Sequence, residues 1–189
     1  MQALQNHDPK ITVTTPLQQV LALTKPCRCY ACNTGCKYGS GAFGDDEEVK
    51  KFAAYLNLSV EKAKEQYLEV VEKFETKKLR PKIIRKKNLP YGQCIFYDEK
   101  QGCTIHPVKP LECKLAMPCK PYGEALIHWF TINYFVDKKK KSSLLAWHRA
   151  LQTHPSIPGS SLPELLGEEN LAKQLLQEYE QENEKQHQA

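Results

Sequence analysis

Eight cysteines fall in two blocks of this chain, Cys27, Cys29, Cys32 and Cys36 in the first and Cys94, Cys103, Cys113 and Cys119 in the second. Buried free cysteines are common singly, but packing alone does not gather them at such density. A disulfide framework is the usual remedy for a chain too short to build a core, whereas these 189 residues are 41% hydrophobic and need no such staples. The first residues, MQALQNHDPK, lack a basic stretch followed by an apolar one, so the sequence is read as cytoplasmic and its thiols as reduced. Thiols clustered in a reducing compartment are expected to hold metal.

The formal charge of +5 is weak support for a nucleic-acid partner. Metal ligands bind deprotonated, and eight thiolates around two divalent ions would bring that sum to about +1. Mean hydropathy is −0.58 and charged residues make up 26%, which argues against wholesale disorder. No apolar run approaches the ~20 residues that span a bilayer, so no membrane partner is expected.

Cys29 and Cys32 have the Cys-x-x-Cys spacing that presents two sulfurs to one centre, and Cys36 adds a third, with Gly35 available for a tight turn. Such a compact run suits an iron–sulfur cluster as well as a zinc knuckle, and the spacing alone does not choose between them. Cys27 fits least, because side chains in Cys-x-Cys point apart in extended backbone. His106, three residues after Cys103, is an alternative ligand, although a lone histidine before Pro107 has an ordinary structural reading as well.

Between the blocks, Val49, Phe52, Ala53 and Leu56 repeat with helical period, and Val60, Ala63, Tyr67, Val70, Val71 and Phe74 continue it. The expected result is a helical hairpin, with Asp45 to Glu48 at the start of one helix and Ser59 capping the other. From Lys77 to Lys87 an extended basic connector is expected. The proline- and glycine-rich second block should form short strands, one over Cys94 to Tyr97 turning at Asp98 to Gly102 into another. Further helices are expected over Glu124 to Val136, over Leu144 to Leu151, and from a Ser161/Glu164 capping box through Leu165 to Tyr179.

Cys29-Tyr-Ala-Cys32-Asn-Thr-Gly-Cys36, then Gly92-Gln-Cys94-Ile-Phe-Tyr-Asp98 and Gly102-Cys103-Thr-Ile-His-Pro-Val-Lys-Pro110-Leu-Glu-Cys113, resemble the YkgJ-type cysteine-cluster family of zinc- or iron-chelating domains. The resemblance covers Cys27 to Cys119 and implies a metal or iron–sulfur site built from both blocks, with Cys29, Cys32, Cys36, Cys94, Cys103 and Cys113 as ligands. Two departures stand out. The adjacent cysteine pair that usually closes the first block is absent, and the usual Arg-Pro is Lys109-Pro110, a point charge in place of a bidentate fork.

Other signals are weaker. Gly39-Ser-Gly41-Ala-Phe-Gly44 matches a G-x-G-x-x-G string, but no strand leads into it and four acids follow, so it is read as a flexible turn. Lys77 to Lys87 and Lys138 to Lys141, with Tyr91, Phe96 and Tyr97 nearby, allow a nucleic-acid interface, against which stands the plainer reading of solvated basic faces. The aromatic helix with Trp129, Phe130, Tyr134 and Phe135 is read as core, a protein partner groove being the alternative. No catalytic residues are assigned, although Cys119 could serve as a reactive thiol if it is not a ligand.

The expected fold is a mainly α, small α+β domain, its helices packed around two cysteine-rich metal-binding loops with short strands. The organisation read from the sequence is an N-terminal extension (1–24), a cysteine-cluster domain (25–136), a C-terminal helical extension packed on it (137–180) and a frayed tail (181–189). The leading function is metal-ion or iron–sulfur cluster binding in a structural or redox role, a 4Fe-4S cluster ranking ahead of zinc. The alternatives are a metal-dependent enzyme with an open coordination position and a zinc-stabilised nucleic-acid adaptor.

Overall fold

In a computed structural model of the chain, residues 9–24, 31–86, 89–153 and 156–187 are described, side chains excepted for 31–33 and 180–187. Asp45 takes an extended conformation and its carboxylate accepts from the Glu48 amide at 2.9 Å, which starts helix α3, Asp46–Tyr55. Asn57, at a left-handed φ of 55°, follows its end. Ser59 Oγ accepts from the Lys62 amide at 3.2 Å and caps α4, Val60–Tyr67. Both starts agree with the expectation from sequence.

The second helix is shorter than its period suggested. Leu68 turns extended, and Leu68–Lys73 forms strand β1 against β2, Thr76–Pro81, in antiparallel register with Val70 opposite Leu79. Val70 and Val71 are β-branched and lose rotamer freedom in a helix. Long-range contacts also favour the strands: Arg80 and Arg85 both bind Glu69, while Phe74 stacks edge-on against Trp147 at 5.3 Å. The expected basic connector is therefore largely strand, with several of its charges engaged. Phe74 and Glu75 form the hairpin turn with φ of 49° and 58°, the doubly left-handed geometry that suits two-residue hairpins.

The remaining strands are short. β3 (Ile83–Arg85) pairs antiparallel with β4 (Gly92–Cys94), and β5 (Tyr97–Asp98) with β6 (Gly102–Cys103). Gly92 is required where it stands, since a Cβ there would lie 2.2 Å from the Ile84 carbonyl oxygen. A 3₁₀ turn at His106–Val108 leads into α5, Leu111–Leu115. Then follow α6 (Gly123–Tyr134), α7 (Lys141–Leu151), α8 (Leu162–Leu166) and α9 (Glu169–His187). Ser161 and Glu164 form the expected capping box, but Gly167, at φ 73°, closes α8 and divides what the sequence suggested was one helix. Near the chain start lie α1 (Leu17–Ala22) and α2 (Ala31–Tyr38).

The fold is thus a small α+β arrangement of helices with antiparallel strand pairs. Among the described residues two apolar clusters organise it. The larger joins Ile11, Val13 and Val20 to Leu111 and Leu115 of α5, Leu126, Trp129 and Phe130 of α6, and Trp147, Leu162 and Ala172. The aromatic helix is accordingly core. The smaller joins Phe43, Val49, Phe52, Ala63, Leu68 and Ile105. Among the described residues no helix is long and apolar enough to cross a membrane.

Candidate metal centre

Where loops were expected, the described cysteines other than Cys119, which lies in a turn after α5, stand on short regular elements. Cys32 and Cys36 are one turn apart on α2, and Cys113 is on α5. Cys94 ends β4 and Cys103 ends β6. The first-block turn at Gly35 is absent, since Gly35 lies inside α2. The local sequence favours helix poorly there, and α2 is held by packing on β4 and β6, an instance of tertiary contacts overriding propensity. Cys27 and Cys29 lie outside the described residues, as does the side chain of Cys32.

Cys36, Cys94, Cys103 and Cys113 line one cavity of about 830 Å³. It is bordered by Ile105 of the smaller apolar cluster and by Met117 and Ile127 at the larger one. One thiol of the first block therefore faces three of the second. Cys119 does not line this space; it is half-buried against the larger cluster. His106 lines the cavity from an exposed position. Among the described residues no three His, Cys, Asp or Glu side chains are already drawn to metal-ligand spacing.

Burial raises all four thiol pKa values. Desolvation pushes Cys94 from the ordinary 9.0 to about 11, with the Phe96 amide opposing the rise and the negative charges of Cys36 and Cys103 adding to it. Cys103 rises by desolvation, against the Ile105 amide and the Lys109 ammonium. Cys36 rises by desolvation and by Cys103, again against Lys109. Cys113 is raised by desolvation, opposed by the Gly41 amide, which donates to its sulfur at 3.1 Å. The four therefore repel one another as thiolates, and a bound cation would remove that repulsion. Lys109 is the cation whose charge opposes the rise at Cys36 and Cys103. It also lowers the His106 pKa, after desolvation.

Cys94 and Cys103 share a local device that sequence reading missed. Each ends a short strand and has the amide of the residue two positions on, Phe96 or Ile105, against its sulfur. The signal was present as Cys-x-apolar after each strand, although the sequence shows no longer repeat.

The glycine run also differs from the flexible turn expected. Ala42 and Phe43 are fully buried, and the amides of Gly41 to Gly44 are already engaged. Gly41 donates to Cys113 Sγ, Ala42 to Glu112 Oε2 at 2.6 Å, Phe43 to the Leu79 carbonyl at 2.9 Å and Gly44 to Glu48 Oε2 at 2.8 Å. With these donors used, no phosphate loop remains. A Cβ at Gly41 would lie 2.7 Å from the Cys113 amide nitrogen and 2.8 Å from its sulfur, so the run's role is close approach to a cysteine. In the sequence Glu48 is a helix-start acid and Glu112 part of the cysteine motif. In the fold they fasten this run to α5.

A soft donor set with amides aimed at its sulfurs suits zinc or an iron–sulfur cluster. For the metal-free protein a pH effect follows. The Cys94 pKa is higher folded than unfolded, so the stability it contributes is whole below pH 9.0 and is lost as pH rises toward about 11. At ~1.4 kcal/mol per unit the full loss is about 3 kcal/mol, of which about 2 kcal/mol falls by pH 10.5. Urea unfolding of reduced, metal-free protein at about pH 8 and about pH 10.5 should show it, and Cys94→Ala should reduce the difference. The same pH dependence in both proteins would refute the assignment to Cys94.

The family model CxxCxxCC, described as "Putative zinc- or iron-chelating domain", matches residues 27–139. No curated protein and no solved structure matches the chain.

Proposed function

This chain belongs to the CxxCxxCC family of zinc- or iron-chelating domains, and from that premise we propose that it binds a metal centre, in a structural or redox role, through Cys36, Cys94, Cys103 and Cys113. The observation that carries this reading is the common cavity of these four thiols, reached from both cysteine blocks. Cys29 and Cys32, which the family resemblance also implies as ligands, exceed the four positions of such a centre and are kept for a second one, while Cys27 and Cys119 stay outside the set. The metal-binding unit is assigned to 25–136, with 1–24 and 137–180 as extensions packed on it. The sharing of one apolar cluster by Ile11, Val13 and Ala172 supports that packing.

Zinc would supply a closed, redox-silent cross-link, and an iron–sulfur cluster an electron carrier. The chain's own part is to present thiols, exclude water with Ile105 and Met117, and offset charge with amides and Lys109. We rank iron–sulfur first. Amides directed at the sulfurs are a means of tuning cluster potential.

Anaerobic purification with iron, sulfide and zinc analysis tests the choice. Brown protein is expected, with broad absorption near ~400 nm that bleaches on reduction. Colourless protein with stoichiometric zinc and no sulfide would replace the metal and keep the ligands. Protein that takes up neither metal would end the reading.

A further inference from the structure

Glu112 precedes Cys113 on α5 and is 9% exposed, an unusual place for a carboxylate unless it is paired. Its two oxygens have separate tasks. Oε1 accepts from Lys73 Nζ at 2.8 Å, and Oε2 accepts from the Ala42 amide at 2.6 Å. The Glu112 amide in turn donates to the Ala42 carbonyl at 3.2 Å. Ala42 is thus gripped at both its N–H and its C=O by one residue of α5. The neighbour on each side of that grip matters: Gly41 donates to Sγ of Cys113 at 3.1 Å. Lys73 is itself fixed, with its ammonium 5.0 Å from the Phe135 ring centroid, so the carboxylate is anchored to the larger apolar cluster.

An N–H donor on a metal-bound sulfur withdraws electron density from it, and outer partners of this kind orient ligands and set metal affinity. Resting on the metal reading above, we propose that Glu112 is a positioning residue of the centre: by gripping Ala42 it holds the Gly41 amide on Cys113 Sγ. Gly41 itself cannot be replaced without collision, because a Cβ would meet the sulfur at 2.8 Å. The grip therefore works by bringing bare backbone against the ligand, and its effect is on the metal as well as on the fold.

The test uses the full chain loaded with zinc or with cobalt(II), and compares Glu112→Asp, Glu112→Gln and Lys73→Met with the wild type. Aspartate keeps the charge but withdraws the acceptor by one C–C bond, about 1.5 Å. Glutamine keeps an oxygen within reach of Ala42 and gives up the charge. Lys73→Met removes the ion pair and the ammonium's contact with the Phe135 ring, and leaves Oε2 on the Ala42 amide. In Glu112→Asp the zinc affinity, measured by chelator competition, is expected to fall about 10–100-fold. The sulfur-to-cobalt charge-transfer band should move to longer wavelength, since a thiolate relieved of its N–H donor gives up an electron more readily. Glu112→Gln and Lys73→Met should melt at lower temperature yet keep the wild-type band. A merely structural role would lower melting temperatures and leave the band alone in every variant, which would overturn the proposal. An equal band shift in the Asp and Gln variants would overturn it too, because charge and not acceptor reach would then be responsible. Wild-type protein that binds neither ion and holds no iron–sulfur cluster when purified without oxygen would defeat the metal reading itself, and this role with it; where it holds the cluster, the same shifts are read in its band near ~400 nm.

Discussion

Changing Cys113 to serine is expected to abolish the metal centre, with zinc affinity falling by more than the ~10–100-fold typical of losing an outer partner. Cys113 sits where the fold has arranged most around one sulfur: the Gly41 amide, the gripped Ala42 and the raised thiol pKa. A serine hydroxyl at that position would be much harder to deprotonate and is a poor soft-metal donor, so it leaves an open coordination position. Cys119→Ser provides the contrast, since Cys119 does not line the cavity, and metal content should remain at the wild-type level. Metal and sulfide analysis of both proteins, purified side by side without oxygen, gives the answer. Full metal in Cys113→Ser would remove Cys113 from the ligand set, and equal loss in both variants would show that Cys119 belongs in it.

The local signals that survived folding were those that depend on few residues. The helix start at Asp45 to Glu48, the Ser59 cap and the Ser161/Glu164 box agree with the sequence because a helix start is settled by one side chain and one or two amides, although the cap that Asp45 itself makes shows only in the fold. Periodicity failed at Val70, Val71 and Phe74, whose spacing suits a helix. Their conformation is decided by distant partners, Leu79 across the hairpin and Trp147 on α7. The site divides the same way. Which residue types matter was visible in the cysteine spacing. That Gly41 serves a cysteine 72 positions away was not, because a glycine's lack of a side chain signifies nothing until its neighbour is known. Glu48 is a further case. It suits a helix start, and it also accepts from the Gly44 and Leu111 amides and binds Lys114 at 2.7 Å. One sequence position can satisfy a local rule and a long-range one together, and only the local one shows in the sequence.

Removing the metal should loosen the cysteine cleft far more than the helices beneath it. Binding energy is folding energy where little else holds the chain, and for structural zinc in isolated fingers it reaches ~10–16 kcal/mol. The elements carrying the cleft thiols are short: β6 has two residues, β4 three and α5 five. Segments of that length have little stability of their own. They will not respond equally. Leu111 and Leu115 tie α5 into the larger apolar cluster, so α5 should keep part of its protection, whereas α2 and the β5–β6 hairpin should lose most of theirs. The α6 and α7 helices are held by Trp129, Phe130 and Trp147, at 4%, 0% and 3% exposure, and none of these side chains lines the cleft. Hydrogen exchange on metal-loaded and chelator-treated protein is the measurement. The expected result is a drop of several orders of magnitude in protection over 31–38 and 97–105, with 123–134 nearly unchanged. Equal protection of the cleft in both states would mean that the metal is not structural. Loss of protection over α6 as well would mean that the larger cluster cannot stand without it.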